Sequence, residues 1–149
     1  MATRALTSRI VLETERAPQF IDITELVMRH VRESGAKDGL VCIYSKHTTA
    51  AIKVNENEPL LIRDMEQFLS RLAPVNAYYG HNDFSIRTEH MTEDECPNGH
   101  AHCQHLLMSS SETIPLINGE LQFGTWQRLF LIELDRPRQR EVLVQVVGT

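Results

Sequence analysis

The sequence has only three cysteines, one tryptophan, no surplus of basic residues, and no apolar run approaching the roughly 18 residues of a membrane span. Each shortage narrows the field. Cys42, Cys96 and Cys103 are odd in number and lack the paired spacing of a disulfide framework, which fits a reducing compartment. Fifteen Lys and Arg against twenty Asp and Glu leave a net charge of -5, a sign that disfavours nucleic acid as a general ligand and leaves only a local basic patch open. The opening stretch MATRALTSRIVLETERA holds no uninterrupted apolar core of secretory type, and the expectation is a cytoplasmic chain with no membrane partner. What is present is ordinary for a globular chain: 149 residues, 42% hydrophobic and 23% charged, expected to fold as one domain over residues 1–149 without internal repeats.

Hydrophobic periodicity predicts an α+β fold: a single compact domain of mainly antiparallel β-sheet with a few amphipathic helices. Leu6, Ser8, Ile10 and Leu12 alternate with mostly polar residues, as in a half-buried strand. Asp22-Ile-Thr-Glu25 has capping-box form, Ile23, Leu26, Val27, His30 and Val31 follow at helical spacing, and Gly35 supplies a stop. Leu40 to Tyr44 is a continuous apolar run suited to a strand covered on both faces, and Ala50 to Val54 resumes extended structure. Pro59 opens a second helix whose buried stripe is expected to be Leu61, Met65, Phe68, Leu69 and Leu72. Near the C-terminus, Asn118-Gly119 between two β-prone runs signals a hairpin. Strands at 127–134 and 141–147 then complete an expected antiparallel meander.

Between Ala73 and His105 the sequence loses both periodicities and gains histidine. Five of the seven histidines, His81, His90, His100, His102 and His105, fall in residues 81–105, where an even spread would place about one. Imidazole is the commonest protein metal ligand and exchanges protons near neutral pH, so the cluster points to a metal site or to acid–base work; solvated loop histidines are the plain alternative. Asn98 is expected to cap a short helix through His105 to Met108, leaving His102 in its first turns. Cys96 and Cys103 are seven residues apart, which matches no standard pair of thiolate ligands. His47, in Ser45-Lys-His-Thr-Thr49, follows a buried strand that would hold it still. Trp126, in Gly124-Thr-Trp-Gln127, suits stacking on a planar ligand or filling the core. Arg136, Arg138 and Arg140 carry guanidinium forks that match phosphate oxygens, or else mark a solvated turn.

The order and spacing of KHTTAAIKVNENEP, the AYYGH around His81, NGHAH, SETIPLINGELQFGTWQ and IELDRPRQREV resemble the YjbQ family over nearly the whole chain. These are small bacterial and archaeal proteins labelled secondary thiamine-phosphate synthases. The resemblance implies an α+β domain with antiparallel sheets that assembles as a homotrimer around a polar, histidine-bearing cleft. It implies a divalent metal ion (Zn, Mg or Mn) held by His47, His81 and His102. It gives catalytic roles to His47, Glu56 and His102, and substrate contacts to Asn55, Asn98, Trp126, Gln127 and Arg138. His90 and His105 match no family motif, His100 stands where relatives often carry Asp, and Gln104 replaces a frequent basic residue.

The function this implies is a small-molecule enzyme acting on a phosphorylated substrate, with thiazole phosphate attacking a pyrimidine methyl pyrophosphate. Stabilising the departing pyrophosphate then falls to a metal ion or to positioned imidazolium. The alternatives are a non-catalytic trimer that binds metal or anion, and a metal-dependent phosphate-ester hydrolase.

Overall fold

The computed structural model describes residues 2–149. Strand β1 (Arg4–Glu13) is followed by β2 (Gln19–Asp22), helix α1 (Thr24–Ser34), β3 (Gly39–Ser45), β4 (Ala50–Asn55) and α2 (Pro59–Leu72). After a short 3-10 turn (Gly80–Asn82) come α3 (Gly99–His105), β5 (Ser111–Ile117), β6 (Glu120–Leu121), β7 (Arg128–Glu133) and β8 (Gln139–Gly148). The strands form a five-stranded sheet in the order β1-β8-β3-β5-β6 and a three-stranded sheet in the order β2-β7-β4. Every strand pairing is antiparallel. The α+β class expected from periodicity is what the chain adopts.

Two cores stack through this arrangement. Ile10, Val41, Ile43, Val142 and Val144 of the larger sheet meet Ile52, Leu129 and Leu131 of the smaller one, with Val27 and Val31 of α1 closing the side. On the far face of the smaller sheet, Ala51, Phe130 and Ile132 pack against Leu69 of α2 and Ala101 of α3. Strand β7 serves both cores: Leu129, Phe130, Leu131 and Ile132 are all at most 1% exposed. At about 1.5–3 kcal/mol for each such side chain, β7 is the strand on which the layers depend.

The C-terminal strands are therefore not a meander. The hairpin is as expected, with Asn118 at φ 53° and Gly119 at φ 82°, the paired left-handed residues of a type I′ turn. β7 and β8, however, lie in different sheets. A strand apolar on both sides must sit between layers; β8, alternating and ten residues long, pairs with both β1 and β3. The converse correction applies to β3, which is covered on one face only. Val41 and Ile43 are buried, whereas Leu40 and Tyr44 are 53% and 42% exposed.

Helix α2 begins as its sequence dictates. Pro59 occupies the first turn, and the Glu58 carboxylate accepts the N–H groups of Leu60 and Leu61 at 3.0 and 2.6 Å. The five-residue stripe is not buried, though: only Leu69 is, and Phe68 and Leu72 face outward. The helix touches the sheet along a narrow line through Ile62 and Leu69. Its C-terminal carbonyls are tied by Gln104 Nε2, which donates to Leu69 and Ala73 at 3.0 and 3.3 Å. At α1 the capping box is incomplete: Asp22 Oδ1 accepts the Thr24 N–H at 3.0 Å, while Glu25 turns to Arg128.

Candidate functional site

Strand β4 separates two polar regions, one at each end of the three-stranded sheet. Ala50 lies opposite Glu133, and Asn55 lies opposite Arg128. Five residue steps at the usual strand rise put these ends about 17 Å apart.

At the Ala50 end the sequence's histidine-rich segment folds back on α3. The rings of His81, on the 3-10 turn, and His102, on α3, meet edge to face with centroids 4.8 Å apart. The juxtaposition needs a glycine. Gly99 gives its N–H to Asn82 Oδ1 at 2.9 Å, and a Cβ at this position would fall 2.6 Å from Cβ of Tyr79. Arg87 organises the rest of the loop, donating to the His81 and His90 carbonyls at 3.2 and 2.7 Å and to Glu95 Oε1 at 2.8 Å. His81, Arg87 and His90 share the wall of a shallow cavity of about 530 Å³. His102 has its pKa lowered, first by burial and then by the neighbouring His81; the Asp135 carboxylate opposes the shift.

Asp135 gathers the cations of this end. Its side chain is 2% exposed, and Oδ2 accepts Asn98 Nδ2 at 3.2 Å, Arg136 Nη1 at 3.0 Å and Arg138 Nη1 at 3.2 Å. Asn98 thus does not cap α3 with its side chain. Its Oδ1 is buried and has no hydrogen-bond partner among the described residues. α3 also stops at His105, short of the expected Met108. Two guanidiniums share one carboxylate beside two imidazoles, with Asp94 also near Arg136, and the guanidinium N–H groups left over suit an anion.

His47 belongs to the same end but faces a different partner. The N–H of Glu141 donates to His47 Nε2 at 3.0 Å, which fixes the proton of the neutral ring on Nδ1. Burial, and then Arg140 and Arg138, push its pKa down, with Glu133 acting in the opposite sense. Behind it, Arg140 and Glu133 form an ion pair with side chains 2% and 0% exposed. Among the described residues no group of three or more His, Cys, Asp or Glu side chains is placed to hold a metal ion. The donors of one chain therefore do not fit the three-histidine ion expected from sequence, since the Nε2 of His47 is already engaged.

The Asn55 end holds the remaining expected residues. Asn55 Oδ1 accepts the N–H of Glu56 at 2.8 Å, and Asn55 Nδ2 turns to the sulfur of Met65. Gln127 Oε1 accepts the N–H of Gly124 at 2.8 Å, cinching the turn that carries Trp126. Trp126 is 71% exposed, so it fills no core; with Asp22, Glu56, Glu58 and Arg128 it lines a cavity of about 340 Å³. Within one chain, then, His81, His102, Asn98 and Arg138 come together, His47 stands beside them, and Asn55, Glu56, Trp126 and Gln127 lie at the other end. His100 and His105 lie at the Ala50 end as well, His100 near Asp135 and His105 near His102 and the Ala50 backbone; burial lowers the pKa of each, and His100 is a core residue at 5% exposure.

Glu133, Asp135 and Arg87 escaped the sequence reading, and Arg140, expected as a phosphate fork or part of a solvated turn, is instead buried against Glu133. One signal was available. A Glu and an Asp directly after four apolar residues, as in LFLIELD, mark carboxylates carried into a buried strand end.

The chain is thus a small α+β protein of two antiparallel sheets, with an imidazole pair and an arginine-bearing carboxylate at one strand end. The sequence model of the family described as UPF0047 protein YjbQ-like matches residues 8–149, and the chain belongs to that family. A UPF0047 protein of Methanothermobacter thermautotrophicus is 39% identical over 95% of this chain and 92% of its own length. The Bacillus subtilis protein YugU is 33% identical over 92% and 96%. Among solved structures, a protein of unknown function from Sulfolobus solfataricus matches with a TM-score of 0.88 at 32% identity, covering 99% of this chain and 100% of its own. A family member from Clostridium acetobutylicum matches at 0.82 and 38%, covering 93% and 98%.

Proposed function

We propose that this protein is a small-molecule enzyme that takes the phosphate group of its substrate at the Ala50 end of the smaller sheet. The observation that carries the reading is the His81–His102 pair beside the two arginines that Asp135 holds. Arg136 and Arg138 are about one-third and two-fifths exposed, so their outward N–H groups are open to phosphate oxygens. The imidazole N–H groups supply hydrogen bonds where negative charge develops on a departing phosphate or pyrophosphate. Condensation of thiazole phosphate with pyrimidine methyl pyrophosphate is the candidate reaction that the family resemblance contributes.

The protein is further proposed to act as a homotrimer. The outer face of the larger sheet supports this: the register sets Ala5, Val147, Leu40 and Pro115 side by side, and Leu40, Tyr44 and Val147 are each more than 40% exposed. A face of five strands, about 20–25 Å in each direction at ordinary sheet spacings, supplies roughly half to three-quarters of the area one partner contributes to a stable interface. Light scattering on the purified chain reads the assembly directly, and a monomer at micromolar concentration removes it.

The functional test offers the purified protein the two thiamine precursors, and separately phosphate monoesters, with and without Zn²⁺, Mn²⁺ or Mg²⁺. Thiamine phosphate formation is the expected result. Hydrolysis of the esters alone would favour the hydrolase, and tight anion or metal binding without turnover would make it a binding protein.

A further inference from the structure

The smaller sheet ends in a buried polar network that the proposed chemistry does not use. Glu133 Oε1 accepts Arg140 Nε and the Thr14 hydroxyl, both at 2.8 Å. Glu133 Oε2 accepts the N–H groups of Leu134 and Asp135 at 3.1 and 3.2 Å. Arg140 Nη2 donates to Thr49 Oγ1 at 2.8 Å and to the Thr49 carbonyl at 3.2 Å. Thr14 Oγ1 also accepts the N–H of Arg138 at 2.9 Å.

Taking a carboxylate and a guanidinium fully out of water is expensive, and well-packed apolar residues of similar size commonly stabilise a fold as much or more. The network is arranged around something else. It grips the backbone at Asp135 and at Arg138, the two ends of the turn that presents the arginines. It also fixes Arg140, whose neighbour Glu141 gives the N–H that His47 accepts. Thr49, two residues beyond His47, is held by the same guanidinium.

We propose that Glu133 and Arg140 are positioning residues: through Asp135 they aim Arg136 and Arg138, and through Glu141 and Thr49 they hold His47 in its Nδ1–H form. The proposal rests on the phosphate reading for its functional consequence but makes a separate claim about the His47 ring.

The test uses the full chain and two readouts, the ¹⁵N resonances of His47 and the affinity for inorganic phosphate. In the wild type, His47 Nε2 reads as unprotonated near neutral pH. In the double variant Glu133→Leu/Arg140→Met the network is replaced by apolar side chains. The chain is expected to fold with a lowered melting temperature, because the Asp135 N–H and the Thr14 hydroxyl lose their acceptor, while the two nitrogens of His47 average and phosphate affinity falls by about tenfold or more. A folded double variant with wild-type His47 resonances and affinity overturns the proposal. If the double variant does not fold, Arg140→Lys keeps the charge but loses the two-pronged contact; averaging of His47 supports the proposal, and an unchanged ring overturns it. Absence of phosphate binding in the wild type would remove the proposed function while the His47 resonances still decide this claim.

Discussion

The two ends of the smaller sheet are built from similar side chains in opposite ways. At one, Asp135 is 2% exposed and collects Asn98, Arg136 and Arg138 on a single oxygen. At the other, Asp22 is 18% exposed and divides its bonds, Oδ1 to Thr24 and Oδ2 to Arg128 and Asn57. The first carboxylate is the hub of a preorganised cluster whose charges are held by a buried frame. The second joins neighbouring elements at the rim, where water shares the work. A site that must present charge in a fixed direction needs the first kind of construction.

The sharpest break between the ends should come from removing each hub. Asp135→Ala is expected to cost about 2–3 kcal/mol in urea unfolding, because charge-assisted bonds in a dry setting are lost together. Asp22→Ala should cost nearer 1 kcal/mol. Equal losses would erase the distinction. Gly99→Ala should come next: its Cβ collides with Tyr79, so a loss of about 1–2 kcal/mol is expected, together with separation of the His81 and His102 rings, visible in their nuclear Overhauser contacts.

A smaller and more selective effect is expected for His102→Ala, which should weaken phosphate binding by about tenfold, or about 1.4 kcal/mol, with little change in melting temperature. Calorimetric titration against inorganic phosphate checks it; a large fall in stability would make His102 structural. Trp126→Ala at the opposite end should shift stability by no more than about 0.5 kcal/mol and leave phosphate affinity unaltered.

The same contrast has a pH signature. His47, His100, His102 and His105 all have pKa values lowered from 6.5 in the folded chain, burial being the first cause in each. The unfolded chain therefore takes up protons more readily, so this contribution to stability is complete above about pH 6.5 and is lost as pH falls through the folded-state values. Urea midpoints should drop between pH 7.5 and 5.5. Replacing His102 should flatten that slope, and replacing Trp126 should not.

Sequence reading succeeded where a local rule dominates. The Asn118-Gly119 turn, the Pro59 start of α2 and the Gly35 stop of α1 depend on a few adjacent residues, and the His81–His102 pair was visible as a crowding of imidazoles. It failed where placement depends on layers. Leu40–Tyr44 and residues 129–132 are both continuous apolar runs, yet only the second is covered twice, and nothing local distinguishes them. β2 went unrecognised because Gln19–Asp22 is four residues long. The separation of Asn55 and Glu56 from His102 follows from the length of β4 and the direction in which it runs, and residue chemistry carries neither.

The larger sheet ends on one side in β6, two residues long, and on the other in β1, ten residues long with Arg4, Arg9 and Glu13 along it. A visiting strand would find almost no ladder on the first edge and charged side chains along the second. Lateral fibril growth is thereby discouraged at both borders.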